Sequence, residues 1–188
     1  MTKLLTLYIG LLLCNLKCNQ QAANTQLIEK KKGDFYSVVQ QHKQLYNMSC
    51  IPSAVEMVLK YNKKVNSNYY ELQNSWKEKA DGTFQDFDNK TIYGLKFTRQ
   101  FNLPRSNDFP IDSLFKTIDN EIVAGRIVII SLPSGQNMYH MYLLDHKTDT
   151  YLGYSRGYNQ DEVLKLDNIK GFVKAMGGTD ILTYLPVK

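Results

Sequence analysis

Cys50, Gln44 and His140 are the residues of this chain whose types and spacing could share one reaction. Cys50 stands just before a helix signal, in Ser49-Cys50-Ile51-Pro52-Ser53-Ala54. A thiol at the positive end of a helix dipole ionises more readily, and the thiolate is the nucleophile. The same residue type also serves as an inert core cysteine. Gln44 lies six residues upstream. Attack on an acyl carbon builds an oxyanion, which a side-chain amide and the cysteine's own N–H can hold. The imidazoles present are His42, His140 and His146. His140 opens an apolar strand pattern after a Gly-containing loop, where it could take a thiol's proton. His146 falls in a turn and His42 precedes the Gln44 loop; each histidine also has a purely structural use.

These side chains need elements to carry them. Pro52 sits at a plausible first helical position with Ser49 as a cap, and Ala54, Val55, Met57, Val58 and Leu59 form an apolar face ending near Asn62. A more polar helix is expected over Asn68 to Lys79, then a turn at Asp81-Gly82-Thr83. Thr91 to Asn102 reads as helical and stops before Pro104. Ile111 to Ala124 has helical spacing and Gly125 stops it. Ile127 to Leu132 is a continuous β-branched run of buried-strand type. Pro133 to Asn137 reads as a loop, Tyr139 to Asp145 as a strand, and His146 to Thr150 as a turn into a returning strand, Tyr151 to Ser155. A further helix over Asp167 to Lys174 and a closing strand over Ile181 to Pro186 complete the pattern. Helices first and an antiparallel sheet second predict an α+β domain.

The chain has 188 residues and a formal net charge of +5, with 43% hydrophobic residues. One domain with a real core fits that length. Apart from Lys30-Lys31-Lys32 the basic residues are scattered, so the stripe expected of a nucleic-acid binder is missing. Lys3 followed by the apolar run Leu4 to Leu13 has the form of a secretory signal, too short to span a bilayer. Residues 1–18 are therefore expected to be a signal segment, 19–34 a Gln/Asn/Lys-rich tether, and 35–188 the folded domain. An exported protein follows: periplasmic, secreted or lipid-anchored. Cys14 follows Leu11-Leu12-Leu13 and loosely resembles a lipoprotein cleavage box, which makes it a candidate lipid anchor. Removal of the segment carrying Cys14 and Cys18 leaves Cys50 alone, so structural disulfides are not expected. The sequons at Asn47 and Asn89 read as chance.

Gln44-x5-Cys50-Ile51-Pro52-Ser53-Ala54-x2-Met57-Val58-Leu59-x-Tyr61 resembles the active-site block of papain-superfamily cysteine peptidases, and most closely the bacteriocin-processing, double-glycine-leader peptidase-like group. Asp81-Gly82-Thr83, Tyr93-Gly94-Leu95, Gly125-Arg126-Ile127-Val128 and Tyr139-His140-Met141-Tyr142 follow in that family's order. The resemblance covers about residues 38 to 160. It implies a papain-like fold, with an N-terminal helical half whose nucleophile helix packs on a C-terminal antiparallel sheet. It also implies Cys50 as nucleophile, His140 as base and Gln44 in the oxyanion hole of a thiol hydrolase. Two departures stand out. Ile51 replaces the family's glycine, and the carboxylate or amide that orients the histidine is missing from Tyr154-Ser155-Arg156-Gly157. Ser155 is the nearest substitute; Asn159 and Asp161 lie further along.

Three readings follow: a cysteine peptidase acting on a peptide or protein, a papain-like binding module with weak or no catalysis, and a thiol acyltransferase on the same fold. No cofactor and no metal are expected, because the histidines lack ligand spacing with Cys50. A monomer is expected, with no nucleic-acid partner and no membrane span.

Overall fold

The computed structural model describes residues 35–135, 138–144 and 151–187. The signal segment, the tether, Cys14, Cys18, Gln136-Asn137 and the turn with His146 lie outside the described residues. The helices are α1 (residues 35–41), α2 (Cys50–Tyr61), α3 (Glu71–Trp76), α4 (Ile111–Val123) and α5 (Ile169–Ala175). The strands are β1 (Thr91–Ile92), β2 (Leu95–Gln100), β3 (Val128–Gly135), β4 (Met138–Leu144), β5 (Gly153–Arg156), β6 (Val163–Leu166) and β7 (Ile181–Pro186). They form one sheet in the order β1-β2-β7-β3-β4-β5-β6. Every pairing in it is antiparallel. The fold is α+β, and among the described residues no helix is long and apolar enough to cross a membrane.

The sheet is covered on both faces, which explains its uninterrupted apolar strands. Ile129, Met141, Leu143, Tyr154 and Leu182 join one cluster with Phe35 and Val39 of α1 and Ala54, Val58 and Leu59 of α2. Val128, Ile130, Leu132, Tyr142 and Leu144 point the other way, onto Leu114 and Ile118 of α4 and Ile169 and Val173 of α5. The period of two along β3 and β4 thus feeds two separate cores.

Thr91 to Asn102 is not a helix but the hairpin β1–β2. Tyr93 and Gly94 both take positive φ, 47° and 76°, as a two-residue turn of the right-handed twist requires. Leu95 and Phe97 then alternate inward while Lys96 faces out, a period the apolar content alone concealed. Strand β2 pairs with β7 over six residues, so part of the sheet precedes α4 in the chain. The polar helix is shorter than expected, ending at Trp76, because Lys77 takes φ 51°. Pro133 to Gly135 continue β3 across an irregularity instead of opening a loop, and β6 is an additional strand. Cys50 is the first residue of α2, not its predecessor. Ser49 holds the cap position, but its side chain makes no cap bond to the helix.

Candidate active site

The loop of residues 43–49 delivers Cys50 to the start of α2, and nearly every polar group in it is held by a named partner. Leu45 N–H donates to Gln73 Oε1 at 2.8 Å. Asn47 N–H and Met48 N–H both donate to the Glu78 carboxylate at 3.2 Å. Trp76 Nε1 donates to the Met48 carbonyl at 3.1 Å. The Ser49 hydroxyl lies 2.8 Å from Gln73 Oε1 and 2.9 Å from the Tyr46 carbonyl. Gln73, Trp76 and Glu78 belong to α3 and its trailing turn. This short polar helix therefore functions as a brace: it satisfies a loop that would otherwise carry orphaned backbone groups.

Gln73 is tied in turn to the nucleophile helix. Its Nε2 donates to Glu56 Oε2 at 2.7 Å and to the Lys43 carbonyl at 3.0 Å, and its backbone N–H donates to Glu56 Oε1 at 3.0 Å. Glu56 and Lys60 lie on consecutive turns of α2, whose residues Ile51 to Lys60 are all buried. Lys60 Nζ donates to His42 Nδ1 at 2.9 Å. His42 Nε2 lies 3.5 Å from Glu56 Oε2. Burial, with Lys60 and Arg156 nearby, holds the His42 pKa well below its ordinary value, so this histidine is neutral. Burial pushes the Glu56 carboxyl up to about 7, against the opposing Gln73 bonds and Lys60. Burial brings Lys60 down to about 8, against the attraction of Glu56. His42 is thus structural. Its network has one legible sign in the sequence: two charges four apart, Glu56 inside the apolar run Ala54 to Leu59 and Lys60 directly after it.

Gln44, Cys50 and His140 line one cleft of about 720 Å³. Backbone N–H groups of Ile51 and Cys50 face the thiol and favour its ionisation, as the open first turn of a helix should. Burial outweighs them and raises the Cys50 pKa, reversing the expectation of a thiolate at rest. Gln44 is buried and its backbone forms a parallel bridge with Tyr158 across the cleft. Its Nε2 donates to the Tyr46 carbonyl at 2.9 Å and the Asn47 carbonyl at 3.0 Å, while Oε1 is buried without a partner. The amide hydrogens are spent on the loop, so the donors at the thiol are backbone groups.

His140 is half-buried on β4, edge-on to Tyr142 at 5.5 Å between ring centres. Ser155 Oγ lies 2.8 Å from His140 Nε2 and 2.5 Å from the Met141 carbonyl. A carbonyl only accepts, so the single hydroxyl proton goes to Met141. The serine oxygen then accepts Nε2–H, which leaves Nδ1 as the basic nitrogen. Burial drives the His140 pKa down to about 4, opposed only by the Arg156 backbone. Neither Asn159 nor Asp161 bonds the ring: Asn159 is exposed, and Asp161 gives its carbonyl to Arg156. No hydrogen bond joins Cys50 to His140 among the described residues. Met141 and Leu143 pack toward α2, whereas Tyr142, beside His140, joins the opposite core. Among the described residues no group of three or more His, Cys, Asp and Glu is placed to hold a metal. Compared with family models, with curated proteins and with solved structures, the chain matches none.

Proposed function

We propose that this protein is a papain-like thiol hydrolase that cleaves a peptide or peptide-like amide. The observation that carries the reading is a single cleft lined by both Cys50, at the amino end of α2, and His140, whose tautomer Ser155 sets. In this reading the resting pair is neutral, a thiol and an imidazole, because both groups are desolvated. Substrate closes the gap between them, as catalytic contacts tighten in many Michaelis complexes. His140 Nδ1 takes the thiol proton as Sγ bonds the acyl carbon, and the carbonyl electrons move onto its oxygen. The Cys50 N–H stabilises that oxyanion. Gln44 joins it only by releasing the Tyr46 and Asn47 carbonyls. Collapse expels the amine, which leaves with the proton from His140, and water then resolves the thioester.

The test is covalent capture. A peptide vinyl sulfone or thioester should label Cys50, and His140→Ala should slow labelling at least about a hundredfold. Absence of labelling in the folded wild type would sink the reading. Hydrolysis and acyl transfer share the thioester, so product analysis with and without an added amine separates them.

A second reading is a binding cleft that has lost catalysis. The lack of a Cys50–His140 hydrogen bond and the serine in place of a carboxylate favour it. Peptide binding that is unchanged in Cys50→Ala, with no acyl product in wild type, is its signature.

A further inference from the structure

Three cations, Lys79, Arg99 and Arg105, line the cleft together with one carboxylate, Asp180. Two of the three are neutralised inside the protein. Lys79 pairs with Asp86. Arg99 Nε donates to Asp180 Oδ2 at 2.6 Å. Arg105 has no carboxylate partner among the described residues. Instead its guanidinium lies over the Tyr139 ring, 4.4 Å from the centroid, and Nη1 donates to the Tyr139 hydroxyl. Stacking orients a guanidinium while leaving the N–H groups of its edge free.

The pair is held from both ends. Ser106 N–H donates to the Gly177 carbonyl at 2.9 Å, which anchors the segment carrying Arg105 beside the start of β7. Tyr139 stands in β4 paired with Pro133, immediately before His140. It keeps 42% of its surface exposed, although its ring is large, and Met138 beside it keeps 60%. An oriented guanidinium with no carboxylate partner among the described residues, lining the same cleft as the candidate base on an exposed aromatic platform, is built to receive a planar anion.

We propose that Arg105 on Tyr139 forms a carboxylate-binding subsite of this cleft, selecting peptides with an acidic group near the reacting bond. The inference rests on the cleft being where a peptide binds. The carboxylate is either an Asp or Glu side chain or a free chain terminus. Arg105 contributes by charge-assisted, two-pronged hydrogen bonding, which an amide of the same shape cannot reproduce.

Protection of Cys50 from iodoacetamide, followed by mass spectrometry on the full chain, tests this. The competitors are matched hexapeptide pools carrying Glu or Gln at one position, each with a free or an amidated C-terminus. The carboxylate-bearing pools should protect at about tenfold lower concentration than the neutral pool, and the gap should shrink as salt is raised. In Arg105→Gln the gap should fall below about twofold, while Arg105→Lys should keep part of it. The Glu and free-terminus arms show which carboxylate is read. Equal protection by acidic and neutral pools, or a gap that survives Arg105→Gln, overturns the proposal. If Cys50 resists iodoacetamide without any peptide even well above about pH 8.5, where a buried thiol should ionise, the thiol reading fails on its own. The subsite is then judged by anisotropy of a rhodamine-labelled Glu pool, where Arg105→Gln must weaken binding by about the same factor, and its failure to do so refutes the subsite.

Discussion

Ser155 Oγ meets His140 Nε2 at 2.8 Å while giving its own proton to the Met141 carbonyl. A neutral hydroxyl thus stands where a carboxylate would orient and charge-stabilise an imidazole. It sets the tautomer but adds no negative charge, and burial keeps the ring neutral. Replacing Ser155 by Ala should free the ring and reduce Cys50 acylation about tenfold, roughly 1.4 kcal/mol. Ser155→Asp should raise the His140 midpoint from about 4 by roughly 1–3 pH units, the usual effect of an adjacent opposite charge. Histidine titration by NMR reads both variants. An unmoved midpoint in Ser155→Asp would show that the serine does not face the ring in solution.

The resting thiol should behave as a buried, un-ionised cysteine. Its pKa is raised by burial and His140 is neutral above about 4, so no thiolate–imidazolium plateau is expected near neutrality. Alkylation of Cys50 without peptide should climb continuously with pH to beyond the ordinary thiol range, near 8.5. A flat, fast rate from pH 5 to 8 would show an ion pair instead.

Gln73 is the clamp between α2 and the loop before Cys50. Gln73→Leu removes its bonds to Leu45, Lys43 and Glu56 and leaves buried partners unsatisfied. The expected loss is about 3 kcal/mol in urea unfolding. Cys50 alkylation should change in the still-folded protein, whereas a comparable core truncation on the α4 face, Leu114→Ala, should destabilise without that change.

The same network predicts an unusual stability profile. Glu56 binds its proton more tightly folded than unfolded, so its stabilisation is complete below about 4.5 and lost as pH rises through about 7. Lys60 is the reverse case: its stabilisation is complete above about 10.5 and lost as pH falls through about 8. Among the described residues, His42, Arg156, Tyr69 and Tyr70 are the other titratable or charged groups around the pair. Stability should therefore dip between pH 7 and 8, with an acid limb on the order of 3 kcal/mol that Glu56→Gln flattens. Urea midpoints measured from pH 5 to 10 would expose a monotonic profile, which contradicts this.

Gly178 is a purely steric test of the fold. It takes φ 116°, and an added Cβ would sit 2.1 Å from Phe109 Cδ2 in the core. Gly178→Ala should cost at least about 3 kcal/mol by thermal or urea unfolding.

Much of the architecture was legible in residue order. The apolar run before Asn62, the helical spacing up to Val123 and the closing strand Ile181 to Pro186 fall where local pattern places them, because each buries a face of fixed period. The β1–β2 hairpin was not legible, since its deciding feature is a Tyr93-Gly94 turn whose backbone angles a mixed polar run does not announce. Residue type and spacing, together with the family resemblance, also singled out Cys50, Gln44, His140 and Ser155. Their protonation and hydrogen-bond partners depend on folding. Ionisation depends on desolvation, and desolvation comes from distant segments closing over a group: the helix dipole at Cys50 is local, but the burial that overrides it is not. Gln44 spends its amide on its own loop, and among the described residues Arg105 has no carboxylate partner, whereas Asp86 and Asp180 pair with the other two cleft cations. The Arg99–Asp180 and Arg105–Tyr139 pairings join residues far apart in the chain, so no local pattern encodes them.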